Sequence, residues 1–220
     1  VSPQFYSENN VTAVAALLSG LPRDGSTNFV QISTSSVYGR SNAAASPSLD
    51  PISPYGVTKL AAEDLCRVHS TAFGLPCTVV RLFSVYGPSQ RPDMAYHRIC
   101  TAILRKQTFQ IFGDGHQVRA NTYVSDLLPA ILNACETPSP YATHDLSGGS
   151  QISLRDAVTT IEEALGEKCR VQFEPPQVGD QRSTQPSYQS AAETLKYSPI
   201  TNIHDGLRLQ ALWHRSLTSP

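Results

Sequence analysis

A tyrosine and a lysine stand four residues apart in the segment ISPYGVTKLAAED, at Tyr55 and Lys59. Because residues i and i+4 lie on one face of a helix, their side chains can converge on one point. A phenol has an ordinary pKa near ~10, but a neighbouring ammonium favours its ionised form. The pair therefore predicts a general base that removes a proton from a sugar or alcohol hydroxyl. On spacing alone, a solvated helix pair of no consequence explains it at least as well.

Three hydroxyl side chains come after a short apolar segment in VQISTSSVYG, at Thr34, Ser35 and Ser36. The apolar, β-rich residues 28–34 predict a buried parallel strand. Since ligands of open parallel sheets bind at the carboxyl ends of the strands, these hydroxyls are placed where a substrate would lie. A serine-rich loop that caps the next element is the alternative.

The elements that must position these groups alternate along the first part of the chain. We predict a helix over 7–20, the strand over 28–34, a helix over 54–73 and a strand over 75–83. Helices that alternate with apolar strands predict a parallel sheet with crossover helices.

The rest of the chain alternates less regularly. VYGPSQRPD predicts a loop, 95–106 a helix, TFQIFGDG a strand and HDLSGG a strand with a turn. NTYVSDLLPAILNAC predicts a strand and then a helix with Ser125 or Asp126 as N-cap and Pro129 in its first turn. Ser153 should cap a helix that ends near Gly166, and NIHDGLRLQALWHRSL predicts a final helix.

The composition excludes several classes of function. The 220 residues include 17 basic and 18 acidic side chains without a basic block, which argues against nucleic acid or a membrane surface as a partner. No apolar segment is long enough to span a bilayer, and the first residues do not resemble a secretory signal. The 5 cysteines lack CxxC spacing, and the 6 histidines are scattered. We expect buried, reduced thiols in a cytoplasmic protein and no metal site.

Seven segments in order make the chain resemble the extended short-chain dehydrogenase/reductase family, in its nucleotide-sugar epimerase and dehydratase branch. They are STSSVYG, SPYGVTKLAAE, RLFSVYGP, RPDMAYHR, IFGDGHQVR, NTYVSD and VGDQRST. The resemblance implies an α/β fold with a doubly wound parallel sheet of Rossmann type and a smaller mixed α/β substrate-binding domain. It also implies an NAD-dependent enzyme that acts on a UDP-sugar.

The resemblance assigns roles to the tyrosine, the lysine and the threonine. Tyr55 matches the catalytic base, and Lys59 matches the residue that lowers its pKa and holds the nicotinamide ribose. Thr34 matches the residue that bridges the tyrosine and a substrate hydroxyl. Asn10 matches an asparagine near the cofactor.

Three further residues match positions that bind the nucleotide sugar, and Ser84 is a candidate because its hydroxyl can donate a hydrogen bond. Arg119 and Arg91 match the diphosphate site, which suits the planar donors of arginine. Asp180 matches a contact to the nucleoside ribose. Ser84, with Ser35 and Ser36, could donate hydrogen bonds to the sugar.

The two residues after Thr34 help to distinguish the reactions that members of this branch catalyse. Dehydratases of this branch carry Asp-Glu there, and decarboxylases usually carry a glutamate in place of Ser36, whereas this chain has Ser35 and Ser36. The resemblance therefore favours 4-epimerisation through a transient 4-keto sugar. VYGPSQRPDMAYHR is most similar to UDP-glucuronate 4-epimerases, and UDP-glucose or UDP-galactose is nearly as well supported. A dehydratase, decarboxylase or reductase, or an inactive sugar-nucleotide-binding fragment, are the alternatives.

The sequence also departs from the family pattern. The GxxGxxG segment that grips the NAD pyrophosphate does not occur, and we expect that about 80–100 residues, roughly one βαβ half of a dinucleotide fold, are absent. We therefore expect the chain alone to bind NAD poorly. Asp145 stands where many relatives have asparagine, and Ala120 where relatives have aspartate.

The resemblance divides the chain into two domains. Residues 1–86 and 119–148 are expected to be the remainder of the NAD-binding domain, and 87–118 and 149–220 to bind the sugar nucleotide. Family members often dimerise through a four-helix bundle, so a homodimer is expected, with the helix of Tyr55 in the interface.

Overall fold

The computed structural model describes residues 2–22, 24, 26–39, 48–176 and 187–217. Within these ranges the helices are α1 (Pro3–Ser7), α2 (Ala13–Gly20), α3 (Pro54–Phe73), α4 (Ala95–Leu104), α5 (Val124–Glu136), α6 (Leu154–Leu165), α7 (Gln189–Leu195) and α8 (Ile203–Ser216). The strands are β1 (Phe29–Thr34), β2 (Cys77–Leu82), β3 (Val85–Tyr86), β4 (Thr108–Phe112), β5 (Val118–Tyr123), β6 (Tyr141–Leu146), β7 (Ser150–Ser153) and β8 (Arg170–Glu174). A π-helical turn, Glu8–Thr12, joins α1 to α2, and a 3₁₀ turn, Ser35–Val37, comes after β1.

The chain folds as two compact units, each assembled from separate stretches of sequence. The first contains residues 1–83, 127–147 and 185–198, and the second contains 84–126, 148–184 and 199–220. The NAD-binding and substrate-binding roles given to the two predicted domains remain predictions.

The first unit is built on a parallel sheet with the strand order β1-β2-β6. Phe29–Thr34 lies opposite Cys77–Leu82, which in turn lies opposite Tyr141–Leu146. Since parallel neighbours cannot be joined by a tight turn, β1 and β2 need a crossover connection, and α3 supplies it. The predicted α/β class with parallel strands and crossover helices is confirmed.

The sequence of α3 explains both of its ends. The Ser53 side chain accepts a hydrogen bond from Gly56 N at 3.1 Å, and Pro54 takes the first helical position, where its missing N–H leaves no bond unmade. Gly74 ends the helix with a φ of 69°, in the left-handed region that glycine adopts without strain. The helix covers the predicted range 54–73.

The core of the first unit lies among α2, α3 and the sheet. Its buried apolar side chains are Val14, Leu18, Ala62, Cys66, Leu75, Cys77 and Val79. Burial of one Val or Leu side chain contributes about 1.5–3 kcal/mol, so this cluster fixes α3 against β1 and β2.

The second unit contains two smaller sheets and three packed helices, α4, α6 and α8. Strand β5 pairs in parallel with β3 and antiparallel with β7, and β4 pairs in parallel with β8. Its core includes the buried residues Tyr86, Ile99, Ile103, Phe109, Ile111, Ile161 and Leu207.

Helix α5 begins earlier than the sequence indicated. It starts at Val124, directly after β5, so Ser125 and Asp126 lie inside its first turn and neither is the predicted N-cap. The Asp126 carboxylate instead accepts hydrogen bonds from the backbone N and the Oγ1 of Thr201, at 3.1 and 2.9 Å. Pro129 is the sixth residue of the helix, so its predicted place in the first turn was also wrong.

The other predicted caps are confirmed. Ser153 accepts a hydrogen bond from Asp156 N at 3.1 Å at the start of α6, and Gly166 ends that helix with a φ of 70°. The final helix is α8. Five short elements escaped prediction: α1, which lies almost entirely before the predicted helix 7–20, β3, in the segment assigned to a loop, and β7, β8 and α7.

All 5 cysteines are free thiols, and Cys66, Cys77 and Cys100 are buried. The expectation of burial was wrong for Cys135, which is exposed near the end of α5. Along the described parts of the chain, no helix combines the length and the apolar character that crossing a membrane requires.

Candidate active site

The hydroxyl side chains after β1 form a tight turn at the carboxyl end of the first unit's sheet. Thr34 is the last residue of β1, and its Oγ1 accepts a hydrogen bond from Ser36 N at 3.2 Å. The Thr34 Oγ1 also lies 3.3 Å from the Ser36 Oγ, to which it donates. Thr34, Ser35 and Ser36 are all partly exposed, so the hydroxyls line the surface at this end of the strand.

Tyr55 and Lys59 lie in the first part of α3, in the same unit. The Tyr55 ring packs against the Tyr6 ring, with centroids 5.5 Å apart and an angle of 53° between the planes. The Lys59 Nζ donates a hydrogen bond to the carbonyl oxygen of Ile32 at 2.5 Å, which brings the ammonium to the end of β1. The structure thus places Lys59 beside the strand that ends in Thr34.

The charge of Lys59 reflects two opposing influences. Burial lowers the pKa of its ammonium, because water that would solvate the charge is excluded. The carboxylate of Glu63 and, more weakly, the sulfur of Cys66 act in the other direction. The net direction is down, so Lys59 loses its proton more readily than an exposed lysine does.

Asn10 lies in the π-helical turn that packs on α3. Its side-chain nitrogen donates to the Thr58 Oγ1 at 3.0 Å, and that Oγ1 donates to the carbonyl oxygen of Tyr55, also at 3.0 Å. Asn10 is therefore attached to the turn of helix that carries the tyrosine. Its predicted contact with a cofactor stays a prediction.

A cavity of about 320 Å³ occupies the second unit. It is lined by Ser84, Val85, Gln90, Met94, Ala95, Tyr96, Gln117, Arg119, Asn121, Ile152 and Leu154. Two of the predicted substrate-binding residues, Ser84 and Arg119, therefore share one cavity. Its size and its mixture of apolar walls with a few polar groups are typical of small-molecule sites.

Hydrogen bonds connect three of the polar residues that line this cavity. The Tyr96 hydroxyl donates to the Asn121 Oδ1 at 2.9 Å, and the Asn121 Nδ2 donates to the carbonyl oxygen of Arg119 at 2.7 Å. Tyr96 and Asn121 are both buried. Burial raises the pKa of the Tyr96 phenol, with the charge of Arg119 acting against it, so Tyr96 is a neutral donor.

Ser84 has an unusual backbone conformation. Its φ of 32° lies in the left-handed region, which is costly for a residue other than glycine. Its carbonyl oxygen accepts a hydrogen bond from Thr122 N at 3.3 Å, which holds the chain in this conformation. Since such strain concentrates at binding sites, it supports the prediction that Ser84 contacts a ligand.

Arg91 lies in the loop between β3 and α4 and is largely exposed. It pairs with Asp93 at 3.0 Å and is not among the residues that line the cavity. Two hydrogen bonds from Gln210 on α8 hold the start of this loop. Gln210 Nε2 donates to Gln90 Oε1 at 2.8 Å, and Gln210 Oε1 accepts from Gly87 N at 2.8 Å. The predicted diphosphate contact of Arg91 stays a prediction, and Asp180 lies outside the described residues.

Several residues of the site were missed by the sequence reasoning. Tyr96, Gln117 and Asn121 line the cavity. The available signal was that they lie in RPDMAYHR, IFGDGHQVR and NTYVSD, three of the segments that carry the family resemblance. A second missed group surrounds Arg81, a charged residue inside the apolar strand CTVVRLF. Among the described residues, no three His, Cys, Asp or Glu side chains are arranged to hold a metal ion.

Comparison with known proteins supports one family. The model of the NAD dependent epimerase/dehydratase family matches residues 1–145. An uncharacterised UDP-glucose epimerase of Bacillus subtilis is 38% identical over 96% of this chain and 68% of that protein. A UDP-glucuronate 4-epimerase of Thermodesulfobacterium geofontis is 31% identical over 97% of this chain and 67% of that protein.

Solved structures agree with the sequence comparisons. The UDP-glucuronic acid 4-epimerase of Bacillus cereus, in complex with UDP-glucuronic acid and NAD, is 36% identical and superposes with a TM-score of 0.88 over 96% of this chain and 69% of that one. The UDP-glucose 4-epimerase of Thermotoga maritima with UDP-glucose is 27% identical, with a TM-score of 0.90 over 99% of this chain and 73% of that one. The chain belongs to the NAD dependent epimerase/dehydratase family.

Proposed function

We propose that the chain carries the catalytic and substrate-binding residues of an NAD-dependent nucleotide-sugar 4-epimerase. The observation that carries the proposal is the position of Lys59, whose ammonium lies at the carboxyl end of β1, one helical turn from Tyr55. Ligands of parallel α/β sheets bind at this end of the strands. Membership of the epimerase/dehydratase family makes chemistry at a sugar hydroxyl the expected use of that arrangement.

The residues of α3 and β1 perform the proton transfer in this proposal. Tyr55 removes the proton of the 4-hydroxyl, with Lys59 one helical turn away on the same helix. Thr34 donates to or accepts from the same hydroxyl and so orients the sugar. NAD, when bound, supplies the acceptor and then the donor of the hydride, and the partly exposed Lys59, Tyr55 and Asn10 offer donors that suit its ribose and amide. The transient 4-keto sugar turns its other face before the hydride returns.

Ser35 and Ser36 favour epimerisation over elimination. A dehydratase must protonate and deprotonate carbons beside the ketone, which needs groups that titrate near neutral pH. Serine hydroxyls do not titrate in that range. The two hydroxyls instead remain available as donors to the sugar.

The cavity of the second unit is proposed to hold the nucleotide diphosphate. Arg119 supplies positive charge, and Asn121, Tyr96 and Gln117 supply neutral donors and acceptors. Arg91 and Asp180 are proposed to complete the diphosphate and ribose contacts. UDP-glucuronate is the favoured substrate because Thr34, Ser35 and Ser36 in the first unit offer several donors for a carboxylate, and UDP-glucose or UDP-galactose is the second candidate. Ser84 in the second unit is proposed as a further donor to the substrate.

Product analysis tests the proposed function. Because the sequence lacks a GxxGxxG segment, we use the chain joined behind the GxxGxxG-containing βαβ segment of a family member, here called the extended chain, and the chain alone in parallel. With NAD, the extended chain should convert UDP-glucuronate into UDP-galacturonate, or UDP-glucose into UDP-galactose, as measured by chromatography and NMR of the sugar. A 4-keto-6-deoxy product or release of carbon dioxide indicates another member of the family. Binding of UDP-sugar without turnover indicates an inactive binder.

A homodimer that uses α3 is also proposed. Leu17 on α2 and Val57 and Val68 on α3 are large apolar side chains that are exposed in the single chain. Val68→Asp should shift the sedimentation coefficient towards that of a monomer, since a buried charge opposes association. Leu209→Asp, at an equally exposed position on α8, is the control and should leave the sedimentation unchanged. A wild-type chain that sediments as a monomer at all concentrations contradicts the proposal.

The free state of the 5 cysteines supports a cytoplasmic location, because reduced thiols are the rule in that compartment.

A further inference from the structure

A row of polar side chains crosses the sheet of the first unit, one residue before Thr34. Ser33 on β1 lies in register with Arg81 on β2, and Arg81 lies in register with Asp145 on β6. In parallel strands, residues at one level of the register project to the same face of the sheet. The three side chains therefore form a single line near the end of the sheet.

Glu63 of α3 contacts this line from the helix that covers the sheet. Its Oε2 accepts a hydrogen bond from the Arg81 Nη2 at 2.6 Å, and its Oε1 accepts from the Arg81 Nε at 3.0 Å. The Ser33 hydroxyl donates to the same Oε1 at 2.5 Å. Glu63 is 2% exposed, so its charge is neutralised by these partners rather than by water.

Tyr38 and Asp145 close the other end of the line. The Arg81 Nη1 donates to the Tyr38 hydroxyl at 2.8 Å, and that hydroxyl donates to the Asp145 carboxylate at 2.8 Å. The guanidinium also lies over the Tyr38 ring, 5.1 Å from its centroid. Burial lowers the pKa of Arg81, but the hydrogen bond and charge of Glu63 outweigh it, so Arg81 stays cationic.

The line is connected to Lys59 in two ways. Lys59 and Glu63 are four residues apart on α3, the same separation as Tyr55 and Lys59. The carbonyl oxygen that receives the Lys59 ammonium belongs to Ile32, the neighbour of Ser33. Glu63 and Lys59, one helical turn apart, thus bind neighbouring residues of β1, Ser33 and Ile32. The charge of Glu63 also raises the pKa of the Lys59 ammonium against the effect of burial.

Stability alone is a weak reason for this arrangement. Burying an ion pair removes both charges from water, and apolar replacements of similar volume are often as stable. A carboxylate held one helical turn from Lys59 gives the ion pair a use that apolar residues could not supply. The Glu63 carboxylate and the Arg81 guanidinium form an ion pair at 2.6 Å, and burial raises the pKa of the Asp145 carboxyl at the far end of the line.

We propose that Glu63 is a positioning residue for Lys59: its carboxylate, held by Arg81 and Ser33, keeps the lysine protonated and seated at the end of β1. The inference rests on the role proposed for Lys59. The ionisable groups that face this part of α3 are Tyr55, Glu63 and Cys66 on the helix, Arg81 on β2 and Tyr6 on α1, while the π-helical turn presents the neutral amide of Asn10. Of these groups, only Glu63 carries a negative charge near neutral pH.

Competitive acetylation of lysines on the 220-residue chain tests the proposal without any turnover. Trace labelling with acetic anhydride from about pH 7 to 11, read by peptide mass spectrometry, gives the labelling midpoint of each lysine. Lys106, Lys168 and Lys196 serve as internal references in the same sample. In Glu63→Gln the midpoint of Lys59 should fall by about one pH unit, because the carboxylate that favours the ammonium is gone while Arg81 remains.

The matched control is Asp64→Asn, on the same helix, where an exposed carboxylate pairs with Arg67 at 3.0 Å. It should leave the Lys59 midpoint where it is in the wild type. Unfolding moves the midpoint up, towards that of a free lysine, so a fall cannot come from loss of structure. A midpoint in Glu63→Gln that is unchanged, or equal to that of the control, overturns the proposal.

A conservative variant keeps the test decisive if Glu63→Gln does not fold. Glu63→Asp retains the charge but withdraws it by one methylene, so the Lys59 midpoint should fall below that of the wild type by less than about one pH unit. A Glu63→Asp midpoint identical to that of the wild type overturns the proposal. Because labelling reports the charge of Lys59 directly, an inactive extended chain would contradict the proposed function and leave this result standing.

Discussion

Tyr55→Phe in the extended chain should lower kcat by about 10²- to 10⁴-fold, the range that general acid–base catalysis contributes. The substitution removes one oxygen and keeps the ring, so the contact with Tyr6, 5.5 Å between centroids, is retained. The dissociation constant for the UDP-sugar should change by about twofold or less, because the nucleotide is proposed to bind in the cavity around Arg119. Steady-state kinetics and calorimetry of UDP-sugar binding measure the two quantities.

Tyr6→Phe is the matched control for this prediction. It removes a hydroxyl from the ring that packs on Tyr55, and turnover should remain close to that of the wild type. An equal loss in both variants would show that packing, rather than the Tyr55 hydroxyl, supports turnover. Full activity of Tyr55→Phe would contradict its role as the base.

Arg81→Met should lower the free energy of unfolding by about 3–5 kcal/mol, which is the range for breaking one side of a buried ion pair. The substitution leaves Glu63, which is 2% exposed, without its cationic partner, and removes a hydrogen bond to the Tyr38 hydroxyl. Urea unfolding of the 220-residue chain measures the change. The double variant Arg81→Met/Glu63→Met should recover most of the loss, since apolar side chains then replace both charges.

Arg67→Met is the control for the ion-pair prediction. Arg67 pairs with Asp64 at 3.0 Å, but both side chains are more than half exposed, so the loss should stay within about 1 kcal/mol. If Arg81→Met costs no more than Arg67→Met, the buried pair does not hold α3 to β2. If the double variant is as unstable as Arg81→Met, the loss does not come from the charge that is left unpaired.

The sequence predicted the bounds of a helix correctly where the residues that determine its ends lie within or next to the helix. Helix α3 was predicted over its full range because its apolar residues recur with helical spacing, and in the structure Ser53, Pro54 and Gly74 mark its ends. Helix α5 was misjudged because β5 runs into it without a break. Asp126, a typical N-cap residue, instead accepts a hydrogen bond from Thr201. Thr201 lies 75 residues away, so the sequence around the helix does not reveal this contact.

The candidate site shows the same limit. Thr34 and Lys59 were identified from the sequence, and the structure brings the ammonium of Lys59 to the end of the strand that carries Thr34. The partners of Arg81 were not identified, because Glu63 lies 18 residues before it and Tyr38 lies 43 residues before it. Asp145 was noticed only as a departure from the family pattern, and its place in the line on the sheet emerges from the register of β6.

The most direct measurement is the fate of deuterium at carbon 4 of the UDP-sugar during turnover by the extended chain with NAD. The account predicts a 4-epimer that keeps the deuterium on carbon 4, because the same hydride leaves and returns while Tyr55 handles only the hydroxyl proton. Loss of the deuterium to water, or its appearance in a deoxy sugar, would contradict the account.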